Sequence, residues 1–177
     1  MAETLGLEKV EKAEDEVYRS AEEFFFERID RQSGKLYSIA YSYLRSEADA
    51  LEMLQEASFR AWSKKKSLKD EALFDSWLIR ILINCCMDEL RRRKKVVPLE
   101  RVGEERRQPE MQSSSAIDLE HAMQKMPEKY RHVLILRFYH DMTLNEIARI
   151  LNKPESTIKT RLYRALKQIR TKLENDH

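Results

Sequence analysis

Helix breakers are scarce in this chain, and three of the seven fall in one short stretch. Glycine and proline number three and four in 177 residues. Pro98, Gly103 and Pro109 all lie between Pro98 and Ser115, which ends in the run Ser113-Ser114-Ser115. β-Hairpins need turn residues at short, regular intervals. Long stretches without them, rich in Leu, Ala, Glu, Lys and Arg, favour helices instead. The expected fold is therefore all-α. The Pro- and Ser-bearing stretch has mixed charge and almost no periodic apolar residues, which predicts a flexible linker over 98–116. Two small helical domains are expected around it, at 21–97 and 117–177, behind an acidic extension at 1–20. Each is small but large enough for a helical core.

Charge divides along the same lines. The formal net charge is only +2, yet residues 1–60 carry 8 Lys and Arg against 14 Asp and Glu. Residues 61–97 carry 10 against 5, the connector at 98–117 carries 3 against 4, and residues 118–177 carry 12 against 8. Two basic blocks behind an acidic head imply separate partner surfaces. No apolar stretch approaches the ~20 residues that span a bilayer, and the first residues lack the apolar core of a signal peptide. A cytoplasmic protein with no membrane insertion of its own is expected.

Apolar periodicity places the helices. Phe24, Phe25 and Ile29 suggest an opening helix that ends near Gly34, and Leu36, Ile39, Ala40, Tyr43 and Leu44 suggest a second. Ser46 with Asp49 reads as a capped start for a third helix burying Ala50, Met53, Leu54, Ala57 and Ala61. A basic loop from Lys64 to Lys69 leads to a fourth that buries Phe74, Leu78, Ile81, Leu82 and Cys85, then enters Arg91-Arg92-Arg93-Lys94-Lys95. Beyond the linker, Leu119, Ala122, Met123 and Met126 form a stripe stopped by Pro127. Val133, Leu134, Leu136 and Phe138 form a broader one. Thr143 and Glu146 make a capping box for a short helix burying Leu144, Ile147, Ala148 and Leu151. Asn152-Lys153-Pro154 interrupts it, and a last helix buries Ile158, Leu162, Ala165, Leu166, Ile169 and Leu173. A capped short helix, a tight turn and a longer helix make a helix-turn-helix.

Three exposed faces carry the chemistry. On the last helix Ser156, Thr160, Tyr163 and Lys167 lie opposite the apolar stripe, flanked by Lys159 and Arg164. Short hydroxyls can approach base edges and long cations suit phosphates. A lone basic helix face would be ordinary solvated surface, but behind a capped helix and a turn it reads as a DNA contact. On the fourth helix Arg80, Asn84 and Arg91 share a stripe beside Met87. The terminal arginines could merely complement the helix dipole, but the neighbouring Lys64, Lys65 and Lys66 favour nucleic acid, for which a strand with unstacked bases is suited. The third helix differs. Asp49, Glu52, Gln55, Glu56 and Phe59 fall between about 140° and 260° from Ala50 on a helical wheel. A solvated acidic helix is the default for such a face, but the aromatic among the acids points to protein docking.

These residues also resemble a family. Asp49 to Glu56 with Arg60-Ala61-Trp62 is similar to the polymerase-binding helix of extracytoplasmic-function sigma factors. Phe74, Trp77, Leu78, Arg80, Ile81, Asn84, Asp88, Leu90 and Arg91 resemble that family's downstream-element helix. Leu119 to Pro127, Arg131, Leu136, Glu146-Ile147-Ala148, Leu151 and Thr157-Ile158-Lys159-Thr160-Arg161 resemble its upstream-element domain. The resemblance implies a promoter-specificity subunit of RNA polymerase, whose partners are core RNA polymerase, promoter DNA and an anti-sigma factor. It places Asp49, Glu52 and Gln55 on the polymerase-contacting helix, and Arg80, Asn84 and Arg91 on the minus-ten element. Ser156, Thr157, Lys159, Thr160, Arg161 and Arg164 fall on the minus-thirty-five element. Leu51 and Ser58 depart from the acid and aromatic usual there, and Asn152 replaces the usual turn glycine.

The rivals are a stand-alone helix-turn-helix regulator and an enzyme. The first leaves the acidic and basic faces of the N-terminal domain without a purpose. For the second there are no paired carboxylates, no Cys/His constellation and no glycine-rich phosphate loop, so no catalytic residue is assigned. Cys85 and Cys86 are adjacent, and neighbours on a helix point roughly 100° apart, so two buried thiols rather than a bridge are expected. The four histidines are scattered, and neither metal nor cofactor is expected.

Overall fold

A computed structural model describes residues 21–96 and 122–175, with side chains over 21–95 and 122–172. The acidic extension, the linker, Leu119 and the Leu173 side chain lie outside the described residues.

Every regular element among the described residues is helical. The first unit holds α1 (21–30), α2 (Ser33–Leu44), α3 (Glu47–Ser63) and α4 (Phe74–Val96). The second holds α5 (122–124), then α6 (Glu128–Leu134), which opens into a π turn (Ile135–Tyr139), then α7 (Leu144–Leu151) and α8 (Glu155–Asn175). The break between α1 and α2 comes at residues 31–32, so Gly34 lies inside the first turn of α2 rather than at a helix end. Gln32 accounts for that break: its amide donates to the Arg28 carbonyl at 3.4 Å and to Asp75 at 3.1 Å, tying the bend to the start of α4.

Local chemistry sets the other boundaries. α2 stops where Arg45 turns left-handed (φ 52°), and Ser46 caps α3 by accepting from the Asp49 amide at 3.4 Å. Between α3 and α4, Trp77 Nε1 donates to Ser67 Oγ at 3.3 Å and pins the basic loop. Thr143 and Glu146 form the capping box of α7 in both directions. Asn152 ends α7 in the left-handed region (φ 50°, ψ 52°), a conformation that asparagine adopts at little cost. Lys153 N–H then reaches the Ala148 carbonyl at 3.0 Å.

The N-terminal core gathers Leu36, Ile39, Ala40, Ala50, Ala57, Ala61, Phe74, Leu78 and Leu82, all nearly solvent-free. Phe25 stands edge-on to Phe74 and Trp62, whereas Phe24 is exposed. Cys85 and Cys86 are buried free thiols, and burial pushes Cys86 up to about 12, which leaves it unreactive at neutral pH.

The apolar patterning missed two things. Phe138 and Leu166 are exposed, at 58 % and 43 %. The π turn explains Phe138, which lies within it: the wider winding carries the ring off the stripe that a 3.6-residue period would continue from Val133 and Leu134. Nothing in the structure explains the exposure of Leu166. Conversely, Ile79, Ile83 and Met87 are buried, although Met87 was expected beside an exposed stripe. They form a second apolar row on α4, which packs on α2 and α3 and also on α7 of the second unit. The buried side chains of both units form one continuous cluster.

Candidate nucleic-acid interface

The recognition face of α8 is open. Ser156, Lys159, Thr160, Tyr163, Arg164 and Lys167 are exposed, and Thr157 and Arg161 are half-buried. Ile158 and Ala165 anchor the opposite side with no exposure. Thr160 donates its hydroxyl proton to the Ser156 carbonyl at 3.0 Å, which leaves the hydroxyl able to act only as an acceptor toward a partner. Asn145 reaches Glu155 at 3.4 Å across the turn, fixing the start of α8 against that of α7. Arg131 holds the rest of the unit together. Its guanidinium is buried and donates to the carbonyls of Met123 and Met126, each at 3.1 Å, and of Gln124.

The stripe on α4 is less open. Asn84 is exposed, but Arg80 donates from Nε to the Ile150 carbonyl and from Nη2 to the Arg149 carbonyl, both at 2.6 Å. Arg91 pairs with Glu128 at 2.7 Å and with Asp88 at 3.1 Å. Two further contacts join the units: Tyr43 Oη lies 3.0 Å from His132 Nδ1, and Ser42 Oγ lies 3.0 Å from His140 Nε2. Burial pushes His132 down to about 4, with Glu128 opposing the shift and Arg131, Arg161 and Arg91 adding to it. In the basic loop, Lys64 and Lys66 project into solvent, while the Lys65 ammonium sits over the Trp62 ring, 3.0 Å from its centre.

On α3 the acidic face divides into committed and free groups. Asp49 is largely covered and meets Arg93 of α4 as an ion pair at 2.5 Å. Neither of those two buried atoms has an aligned hydrogen bond. Arg93 also bonds Glu89 at 2.9 Å. Glu56 binds Arg60 at 2.6 Å, and Arg60 reaches on to Asp88 at 3.0 Å. Glu52 and Gln55 are exposed, and Phe59 is 66 % exposed. Its ring stands on a ridge between two grooves, one toward α1 past Phe26 and Leu54, the other toward α4 past Met53 and Arg92.

Sequence reasoning missed the contacts between units. Their signal was present in Ile79, Ile83 and Met87, a second apolar row at helical spacing that a helix buried on one side would not carry.

Comparison with known proteins gives each unit a family. The profile of sigma-70 region 2 matches residues 29–96, and that of sigma-70 region 4 matches residues 116–169. The RNA polymerase sigma factor SigV of Bacillus subtilis is 35 % identical over 79 % of this chain and 85 % of its own length. The ECF RNA polymerase sigma factor SigM of Mycobacterium tuberculosis is 32 % identical over 83 % of this chain and 74 % of its own. The fold also matches the sigma factor RpoE, solved with the anti-sigma factor NepR from Bartonella quintana. That match has a TM-score of 0.59 and 23 % identity, over 86 % of this chain and 98 % of the other. With the first unit matching region 2 and the helix-turn-helix unit matching region 4, this chain belongs to the extracytoplasmic-function sigma factors of the sigma-70 family.

Proposed function

We infer that the protein binds core RNA polymerase and directs initiation at a restricted set of promoters. The observation that carries this is the pairing, in one chain, of an open basic recognition helix with an exposed aromatic-and-acid face on a separate helical unit. A stand-alone regulator would have no use for the second face. In this reading Glu52, Gln55 and Phe59 dock on polymerase, with Asp49 and Glu56 supporting the same face. Lys64, Lys65, Lys66, Arg80, Asn84 and Arg91 meet the minus-ten strand. Ser156, Thr157, Lys159, Thr160, Arg161, Tyr163, Arg164 and Lys167 meet the minus-thirty-five duplex. The domains are 21–97 and 117–177, and 98–116 is a tether between them. The subunit is non-catalytic and works in the cytoplasm. An anti-sigma factor holds it inactive until a signal arrives.

Transcription in vitro tests the reading. Purified protein is added to core polymerase on fragmented genomic DNA from the host, and the transcripts are sequenced. Start sites sharing two upstream motifs are expected. No transcripts above those of core enzyme alone, with promoter DNA shifted equally well without polymerase, would support the stand-alone regulator instead.

A further inference from the structure

We propose that the seam between the two units carries a binding site for a small phosphorylated ring compound, the size of a nucleoside monophosphate, held by Arg45, Lys94 and Arg131 against the rings of Tyr43 and Tyr139. The inference goes beyond the promoter reading, since none of these residues is assigned to polymerase or to DNA.

A cavity of about 260 Å³ opens where the end of α2, the end of α4, α5, α6 and the π turn meet. Its charge is one-sided. Arg45, Arg93, Lys94 and Arg131 line it, and among the described residues no acid does. Arg93 is neutralised within the fold by Asp49 and Glu89. Arg131 is not. Its Nε and Nη2 donate to three main-chain carbonyls, which are dipoles rather than charges, and Glu128 acts on it only from a distance. A buried guanidinium without a paired carboxylate is costly, and an anion in the cavity removes that cost. Three cationic side chains around one space suit the dianion of a phosphate better than a lone carboxylate.

The remaining wall is flat and apolar. Leu90, Met123 and Ile135 stand beside the two tyrosines. Tyr43 Oη lies 3.0 Å from His132 Nδ1, and the Arg45 guanidinium lies 5.3 Å from the centre of the Tyr139 ring, so both rings are held in place before a ligand enters. Aromatic faces of this kind accept a planar ring. Volume sets the size of the occupant. Pockets for drug-sized ligands begin near about 300 Å³, so this one takes a single ring system with its phosphate and excludes a dinucleotide or a lipid chain.

Because the walls come from both units, the test uses the full chain. Each common ribonucleoside 5′-monophosphate is titrated into it by calorimetry, beside inorganic phosphate and the parent nucleosides. One-to-one binding of at least one monophosphate is expected, with its nucleoside and inorganic phosphate at least about tenfold weaker. Lys94→Ala, at an exposed position, should weaken binding about tenfold with an unchanged melting temperature, and Tyr139→Ala should weaken it as well. The double variant Lys159→Ala/Arg164→Ala, on the open face of α8, should bind as the parent does. Four results each overturn the proposal: no monophosphate binding below about millimolar concentration, inorganic phosphate binding as tightly as the nucleotide, loss of binding in the α8 variant, or full affinity in Lys94→Ala.

Discussion

The Arg80 guanidinium caps α7 from outside its own unit: Nε donates to the Ile150 carbonyl at 2.6 Å and Nη2 to the Arg149 carbonyl at 2.6 Å. A helix C-terminus leaves its last carbonyls without intrahelical donors and carries the negative end of the dipole, so a cation there is doubly favoured. Burial lowers the Arg80 pKa from its ordinary value, yet a guanidinium so strongly basic keeps its charge at neutral pH. The first helix of the DNA-reading motif is thus fixed by the helix assigned to the other promoter element.

Removing that cap should cost stability. Arg80→Ala deletes two charge-assisted hydrogen bonds, and the full chain should lose about 2 kcal/mol. Arg80→Lys keeps the charge but lacks the fork needed for both carbonyls, so it should fall between. Urea unfolding of the three proteins at neutral pH gives the comparison. Equal midpoints would mean that the cap adds nothing to stability.

Acid should weaken the same seam. His132 has its pKa depressed by burial to about 4, while the unfolded ring titrates near 6.5. Above about pH 6.5 both states are neutral and the stability is fully present. As pH falls toward 4 the unfolded state takes up a proton that the folded state refuses, and stability is lost. Between pH 7.5 and 5.5 the loss amounts to about 1 kcal/mol. Half-buried His140 shifts in the same direction and adds to it. Urea midpoints at the two pH values should differ less in His132→Gln than in the parent; an unchanged pH slope would mean that His132 does not titrate as its burial requires.

How much of this was legible in the residues depended on how local the signal was. The capping box at Thr143 and Glu146, the Ser46 cap and the left-handed Asn152 are written within a few residues, and each takes its expected form. Exposure of Phe59 followed from helix phase alone. What sequence could not place was long-range. Arg93 claims Asp49 from another helix, and α7 and Glu128 claim Arg80 and Arg91 from another unit, so residues chosen for partners outside the chain have long-range partners within it. Phe138 escaped for a different reason, since a π turn breaks the 3.6-residue period on which the stripe was counted.

On α8, phosphate and base contacts should separate by experiment. Lys159→Ala and Arg164→Ala should each weaken binding across all duplex sequences and reduce the salt slope by about one. Thr160→Ala should instead change sequence preference, because the residue is exposed and short while its hydroxyl proton is held by the Ser156 carbonyl. Binding of a randomised duplex pool, followed by sequencing at two salt concentrations, distinguishes the two effects. A uniform loss for Thr160→Ala would make it a backbone contact.

The sharpest contrast lies within α3, between Asp49 and Phe59. Both were placed on one docking face, but the structure gives them opposite circumstances. Asp49 is largely covered and bound to Arg93 at 2.5 Å, so Asp49→Ala takes one of two carboxylates from a partly buried guanidinium that keeps Glu89, and should destabilise the first unit by about 1 kcal/mol. Phe59 is 66 % exposed, and Phe59→Ala removes little from the fold. Its ring can instead enter a partner, where burial is worth roughly 1.5–3 kcal/mol before the costs of association. Glu52 and Gln55 beside it are exposed, and an acid at the rim sets approach more than final affinity. Titration of labelled protein with core polymerase, beside a melting curve, should therefore separate three behaviours. Phe59→Ala should bind about tenfold or more weakly with an unchanged melting temperature. Glu52→Lys should associate more slowly with altered salt dependence. Asp49→Ala should melt earlier, yet bind normally at temperatures where it is folded. A Phe59→Ala protein that binds polymerase as the parent does would move the docking surface off α3, and one that mainly melts early would place the ring in the core.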